Sequence, residues 1–488
     1  MGNRVSDNNA MNRVMHLKQY AAVVLCTAAL VLLTACSLIT YAPITSSPTP
    51  TIAAEDSNAV SSVPVTSIQP QDTPGSEASV TDNIAPVTSD DTEPAAPLFI
   101  LNQEYAAFGR MTIAGMKGSD YDKAMAIEWT DIETNGSPVP YDIDLANLMD
   151  YHAIEQYILN LGKYDGVNVS VIGKSEMDRN IYMLSINLSG ETDEEKPLIM
   201  LTGSVHAREF AGVEYMLKFL NDTLIEAQTD AYTRSLLESV TIVAIPLVNP
   251  DGREMIISGG DPNRKSNKHG VDLNRAMPSV NAGQLIAGGE LPENFSYTPG
   301  LDFFAGYRLG SESETQAMIK WFNTYVPKAA VYIDLHQQGG VSFYNKPFTS
   351  SQSDEACLEF AEKMDILLGG GYEPKTEKEG YSLNGDGGTL TDYARSVSEG
   401  FVYSYRLGRM ALLIDSVETP LICFGDIDNC PQYYDPLNPD FVCMTLEIGR
   451  KPTSLGPESD AREQRAAEYE EYGWDHFLTG TIENILGE

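Results

Sequence analysis

Four stretches of this chain are apolar at nearly every position: Pro197-Leu-Ile-Met-Leu-Thr202, Val240-Thr-Ile-Val-Ala-Ile245, Ala329-Ala-Val-Tyr-Ile-Asp334 and Phe441-Val-Cys-Met-Thr445. Short runs of this kind predict strands buried on both faces. Asn168–Ile172 and Asn180–Ile186 read as two further strands. Tyr151–Leu161 and Val213–Ala227 have the spacing of helices. Asn249-Pro250-Asp251-Gly252 carries a turn signal. Doubly buried strands alternating with helices predict an α/β fold, a mixed, mostly parallel central sheet with helices on both faces. This pattern starts at about Leu145, so 145–488 is read as one large domain, and no internal repeat is visible.

Upstream the pattern changes. Residues 36–97 are rich in Ser, Thr, Pro, Ala and Asp, with no Lys or Arg and no aromatic after Tyr41. Such a segment buries too little apolar area to offset the entropy of ordering and predicts a disordered tether. Residues 98–144 are mixed; a small β-rich lead-in packed on the main domain and a propeptide-like remnant both stay open. At the front, Arg4, Arg13 and Lys18 precede an apolar run from Ala21 to Leu33, too short for a membrane span. It ends in Leu33-Thr34-Ala35-Cys36, which resembles the lipobox of a bacterial lipoprotein signal. The resemblance implies a signal peptide over 1–35, removed before Cys36, and a lipid anchor at Cys36. The protein is then expected outside the cytoplasm, tethered to the bacterial cell envelope membrane.

A hydrophobic share of 42% over 488 residues supports a sizeable core. The formal net charge of −37 argues against nucleic acid as a partner, because phosphates would be repelled. Beyond Cys26 and Cys36, four cysteines remain: Cys357, Cys423, Cys430 and Cys443. Outside the cytoplasm they permit disulfides, with Cys423 and Cys430 nearest in sequence; free buried thiols are an equal alternative.

The chain has only six histidines, and two of them stand in chemically suggestive company: His206-Ala207-Arg208-Glu209 and Asp334-Leu335-His336. Two imidazoles and a carboxylate are the protein ligands of a catalytic zinc site that keeps one position open. A separate carboxylate, Glu447 in Thr445-Leu446-Glu447, suits a general base for hydrolysis. His206, His336 and Glu447 each follow the carboxyl end of a predicted strand, the edge where α/β sheets bind ligands.

The order of His-x-x-Glu, Asn-Pro-Asp-Gly, Asp272-Leu273-Asn274-Arg275, Asp-Leu-His and a late Glu resembles the carboxypeptidase A-like zinc carboxypeptidases over roughly residues 145–480. The resemblance implies one Zn²⁺ held by His206, Glu209 and His336, and a water activated by the metal with Glu447 as base. It implies that Asp272 orients the first histidine, and that Asn274 and Arg275 hold the substrate's terminal carboxylate. Arg208 would lie near the upstream part of the substrate, and Arg264 and Lys265 compete to polarise the carbonyl. Tyr381 is the nearest candidate for the family's mobile tyrosine, and Leu390 or Thr391 falls at the specificity pocket. The implied protein is a monomeric exopeptidase acting on peptides with a free C-terminus. Two alternatives stay open: a peptidase of cell-wall stem peptides, cutting γ-D-glutamyl bonds, and an inactive peptide-binding surface lipoprotein. Two departures stand out. Ala276-Met277-Pro278 follows Asn-Arg where an Asn and an aromatic are common. The segment from about Asp392 to Phe441 is longer than the family needs, and with Tyr403, Tyr405, Tyr433 and Tyr434 it is expected to wall the pocket.

Overall fold

The computed structural model describes residues 114–487 without 191–195, 281, 283–294, 297, 338, 345–350, 377–387, 405–408, 415–416, 420–436 and 450–458. All belong to the unit Asp90–Glu488. The expected signal peptide over 1–35, Cys36, the expected tether over 36–97, Tyr381, Tyr405, Tyr433, Tyr434, Cys423 and Cys430 lie outside the described residues. The first elements are α1 (Gly118–Ala126), β1 (Thr130–Ile132), α2 (Tyr151–Leu161), β2 (Val167–Lys174), β3 (Asn180–Ile186) and β4 (Leu198–Gly203). There follow α3 (Phe210–Glu226), α4 (Ala231–Ser239), β5 (Thr241–Ile245), α5 (Pro250–Ile257), α6 (Ser313–Tyr325), β6 (Ala329–His336) and β7 (Val341–Tyr344). The chain continues through α7 (Ser351–Leu367), β8 (Glu373–Thr376), α8 (Leu390–Ser398), β9 (Val402–Ser404), β10 (Arg409–Ile414), β11 (Val417–Thr419), β12 (Val442–Glu447), α9 (Ser459–Glu471) and α10 (Phe477–Leu486).

Nine strands form one mixed sheet in the order β1-β2-β3-β5-β4-β6-β12-β7-β8, and β11-β10-β9 form a small second sheet. The parallel pairs β5-β4, β4-β6 and β6-β12 make its centre. Outside it, β1-β2-β3-β5 and β12-β7 are antiparallel, and β7-β8 at the far edge is parallel again. Neighbouring residues of a strand point to opposite faces, and the apolar runs fill both. In β4, Ile199 and Leu201 enter one core with residues of α2, α3, α4, α7 and α10, while Leu198 and Met200 enter the other with residues of α1, α6 and α8. The same alternation places Asp334 and His336 on the face of Tyr332, and Thr445 and Glu447 on the face of Cys443.

Several boundaries differ from the expected ones in ways that matter for the site. Asn249-Pro250-Asp251-Gly252 opens α5 instead of a turn: Asn249 Oδ1 accepts from Gly252 N–H at 2.9 Å, and Pro250 fits the first helical turn. Helix α3 starts at Phe210, with Glu209 as its N-terminal cap position. His336 and Glu447 are the last residues of their strands, not residues beyond them, and they face each other in the β6-β12 register. Residues 114–144 contribute α1, packed on α6, and β1, which extends the main sheet at Thr130↔Val171. Among the described residues, Tyr403 is not part of the cleft lining. It stacks on Tyr121 at 4.3 Å between ring centroids, and its hydroxyl donates to Met116 O at 2.7 Å. Cys357 and Cys443 are buried: Cys357 Sγ accepts from Arg395 Nη2 at 3.2 Å, and the Cys443 thiol points to Thr391 O at 3.9 Å.

Candidate active site

The site begins where β4 ends. Ser204 turns the chain off the strand in the left-handed region, φ 53°, and its hydroxyl donates to Glu209 O at 2.7 Å and accepts from Val213 N–H at 3.2 Å. This turn works only because α3 sits very close to the strand ends. A Cβ on Gly212 would stand 2.7 Å from Leu335 O and 3.0 Å from Ser204 N. His206 and Glu209 are thereby delivered beside the end of β6, where His336 waits. Ala207 N–H donates to Lys265 O at 3.0 Å and ties in the second loop of the cleft.

Three donor atoms converge. His206 Nδ1 lies 2.8 Å from Glu209 Oε1, His336 Nδ1 lies 2.9 Å from Glu209 Oε2, and the two Nδ1 atoms are 3.1 Å apart. All three residues are buried, and together they form a candidate metal-holding group. The outer ring nitrogens are already spoken for: His206 Nε2 meets Asp272 Oδ1 at 3.1 Å, and His336 Nε2 meets Asp334 Oδ2 at 2.8 Å. With each Nε2 carrying its proton toward a carboxylate, each Nδ1 presents a lone pair to the shared centre. Two lone pairs facing each other beside a carboxylate are the donor chemistry of Zn²⁺, so these residues fit the ion. The electrostatics agree for the carboxylate, while His336 must give up its Nδ1 proton to bind an ion. Burial raises the Glu209 carboxyl, but the two imidazoles outweigh it and hold it well below the usual carboxylate range. Burial works against a charged His336 ring, yet Asp334 and Glu209 push its pKa well above the ordinary value.

Asp272 is a hub. Besides His206 it accepts from Asn274 N–H through Oδ1 at 3.1 Å, and its Oδ2 takes Phe303 N–H at 3.2 Å and pairs with Lys265 Nζ at 3.3 Å. Burial raises its pKa, but Lys265 and His206 outweigh that and hold it well below the usual range. A short 3-10 turn, Leu273–Arg275, follows it. Asn274 Oδ1 accepts from Leu390 N–H at 2.8 Å, which leaves the amide nitrogen 3.5 Å from His336 Nε2. Arg275 Nη1 donates to Asn274 O at 2.6 Å.

His206, Glu209 and His336 line one cleft with Glu447, Arg208, Lys265, Asn274, Arg275, Asp302, Phe303, Phe343, Thr389 and Thr445. Glu447 Oε2 is buried with no hydrogen-bond partner among the described residues. Burial pushes its carboxyl up to about 8, with Glu209 adding and His336 and Lys265 opposing. Of the two competing cations, Lys265 lines the cleft; the Arg264 guanidinium is spent on the carbonyls of Ser266, Asn267 and Lys268. Arg208 reaches Asn263 O at 3.0 Å and pairs with Asp302 Oδ2 at 3.1 Å. Leu390 and Thr391 are buried and are not among the cleft's lining residues, which include Thr389 and Thr445.

Asp334, Gln337, Asp302 and Phe303 were not anticipated. Gln337 N–H donates to Glu209 Oε2 at 3.2 Å, and its side-chain oxygen accepts from Ala211 N–H at 2.8 Å. Asp334 had a signal: it stands two residues before His336 on a strand, hence on the same face. Asp302 and Phe303 come from a loop with no pattern to mark it. A second group, Glu176, His269 and Glu312, also gathers, but its atoms are committed to each other and to Asn267 Nδ2 and Ser313 N–H, and it reads as an ion-pair network under the loop.

The donor set, the open cleft and the lone carboxylate define a mononuclear metallohydrolase site. Comparison with known proteins narrows this. The family model "Zinc carboxypeptidase" matches residues 154–414, just over half of the chain. Carboxypeptidase B of Helicoverpa zea is 25% identical over 309 residues, covering 59% of this chain and 68% of that protein. The zinc carboxypeptidase of Saccharothrix mutabilis subsp. capreolus is 28% identical over 172 residues, 32% of this chain and 38% of that one. Among solved structures, carboxypeptidase A of Helicoverpa armigera superposes with a TM-score of 0.51 at 18% identity, covering 75% of this chain and 80% of its own, a likeness of fold. The chain belongs to the zinc carboxypeptidase family, whose members are hydrolases with one Zn²⁺.

Proposed function

We propose that this enzyme removes residues one at a time from the free C-terminus of peptides. The observation that carries the reading is that Arg275, Asn274 and Lys265 line the same cleft as the His206–Glu209–His336 group and the unpartnered Glu447 oxygen. His206, Glu209 and His336 would hold Zn²⁺, which when bound acts as a Lewis acid and lowers the pKa of water. Arg275, with Asn274, receives the terminal carboxylate in a planar, charge-assisted fork. An internal peptide bond or an amidated end offers no such anion. Lys265, fixed by Asp272, faces the oxygen on which negative charge grows. Glu447 takes a proton from the attacking water and delivers it to the departing amine as the C–N bond breaks. Asp272 and Asp334 hold the Nε2 protons of the two histidines and so keep Nδ1 directed inward. The sequence around Cys36 supports a lipid anchor that tethers the enzyme outside the cytoplasm.

The test uses the zinc-loaded full chain beside Glu447→Gln, on one peptide with a free C-terminus and on its amidated twin. The wild type should cleave only the free-ended peptide, and the variant should keep zinc while losing about 10²–10⁴-fold in kcat. A variant that cleaves at the wild-type rate removes Glu447 from the mechanism, and equal cleavage of the amidated twin removes the carboxypeptidase reading.

A further inference from the structure

Phe303 is a bulky residue held at φ 70°, in the left-handed region that side chains of its size avoid. The chain around it is fastened on every side. Phe303 N–H donates to Asp272 Oδ2 at 3.2 Å, Phe303 O accepts from Ser296 N–H at 2.9 Å, and Phe304 O accepts from Asp272 N–H at 2.7 Å. The preceding Asp302 pairs with Arg208. Strain of this kind persists only where its surroundings over-determine it, and it gathers at functional sites. Here the conformation puts the ring against two cations of the cleft, with Lys265 Nζ 4.6 Å and Arg275 Cζ 5.1 Å from the ring centroid.

We propose that Phe303 is a positioning residue, whose ring holds Lys265 and Arg275 in the cleft through its cation–π contacts and so aims Arg275 at an incoming carboxylate and Lys265 at the carbonyl oxygen. The choice of an aromatic has a physical reason. Two like charges placed side by side repel, so something must hold them. A further carboxylate would hold them but would also occupy the N–H groups an anionic substrate needs. The negative face of a ring attracts both cations and accepts none of those hydrogen bonds in the plane of the guanidinium. What the two cations would contact rests on the carboxypeptidase reading above; their arrangement on Phe303 does not.

The test takes the zinc-loaded full chain with Phe303→Leu, Phe303→Tyr and Phe303→Gly. Four quantities are measured: kcat and KM on a free-ended peptide, zinc content, thermal midpoint, and calorimetric binding of an N-acetylated amino acid as a carboxylate probe. Leu keeps bulk and loses the quadrupole, so probe binding and kcat/KM should both weaken about tenfold, mainly through KM, with zinc unchanged. Tyr keeps the ring face and should match the wild type. Gly relieves the backbone and should melt no lower than the wild type while losing at least as much probe affinity as Leu. The proposal is overturned if Leu binds the probe like the wild type, if Tyr fails as Leu does, or if Gly loses stability and affinity together. Wild-type protein that binds the probe without cleaving peptides would remove the carboxypeptidase reading and leave Phe303 to be judged on binding alone.

Discussion

Asp272 and Asp334 perform one task on two histidines, and the difference between them lies in what else each carboxylate holds. Asp334 is backed by Thr202, whose hydroxyl donates to Oδ1 at 2.6 Å, in a buried chain that continues to the Tyr332 hydroxyl at 2.7 Å. Asp272 is backed by Lys265 and two backbone N–H groups, all parts of the cleft. Either Asp→Asn change removes the charge that fixes the ring and its tautomer and turns one acceptor oxygen into a donor, so each should weaken zinc affinity about 10–100-fold in a chelator competition titration. Asp272→Asn should also lower kcat with zinc restored to saturation, because Lys265 loses its ion pair. Asp334→Asn should recover most activity under the same saturation. Equal residual activity in the two saturated variants would contradict this division of roles.

At the scale of elements, the site depends on how tightly α3 is docked against β4 and β6. Gly212 is the contact: a methyl group there meets the Leu335 carbonyl and the Ser204 amide, both backbone atoms that cannot rotate away. Gly212→Ala should cost about 1–3 kcal/mol in a denaturant titration and weaken zinc binding, since His206 and Glu209 in the loop leading into α3 move. An Ala variant with unchanged midpoint and metal affinity would show that the docking is slack. The strands were legible in the sequence because four of them are apolar on both faces, a signal that survives without any knowledge of partners. His206, Glu209 and His336 were legible because histidine is scarce and each motif ends a strand. Other features depend on contacts between distant segments. Arg264 and Lys265 are adjacent and alike in charge, and only the carbonyls of 266–268 decide which one faces the cleft. Asn249 reads as a turn until its side chain is seen capping α5. Tyr403 looks like a pocket wall until Tyr121, far upstream, is found stacked on it. Phe303 has no sequence signature, because its role follows from a φ angle.

For the molecule as a whole, acidity and burial combine at Glu314. Burial pushes its carboxyl up to about 8, and Glu176 and Glu312 beside it add to the rise. An unfolded glutamate titrates near 4.3. Below that pH both states hold the proton and the site costs nothing. Between about 4.3 and 8 the unfolded chain releases the proton while the folded one keeps it, so stability falls as pH rises and levels off above the folded value. Glu314→Gln escapes this penalty. Its thermal midpoint relative to wild type should gain more at pH 8 than at pH 5, and a difference independent of pH would contradict the burial argument. The central claim is that one cleft combines a His206–Glu209–His336 zinc site, a base and a carboxylate clamp. Its most direct test is product mass spectrometry of the zinc-loaded full chain. The substrates are peptides with free C-termini, their amidated twins and cell-wall stem peptides with γ-D-glutamyl bonds. The predicted result is a ladder losing one C-terminal residue per step from the free-ended peptides alone. Internal fragments, equal cleavage of amidated peptides, or cleavage confined to the stem peptides would contradict it.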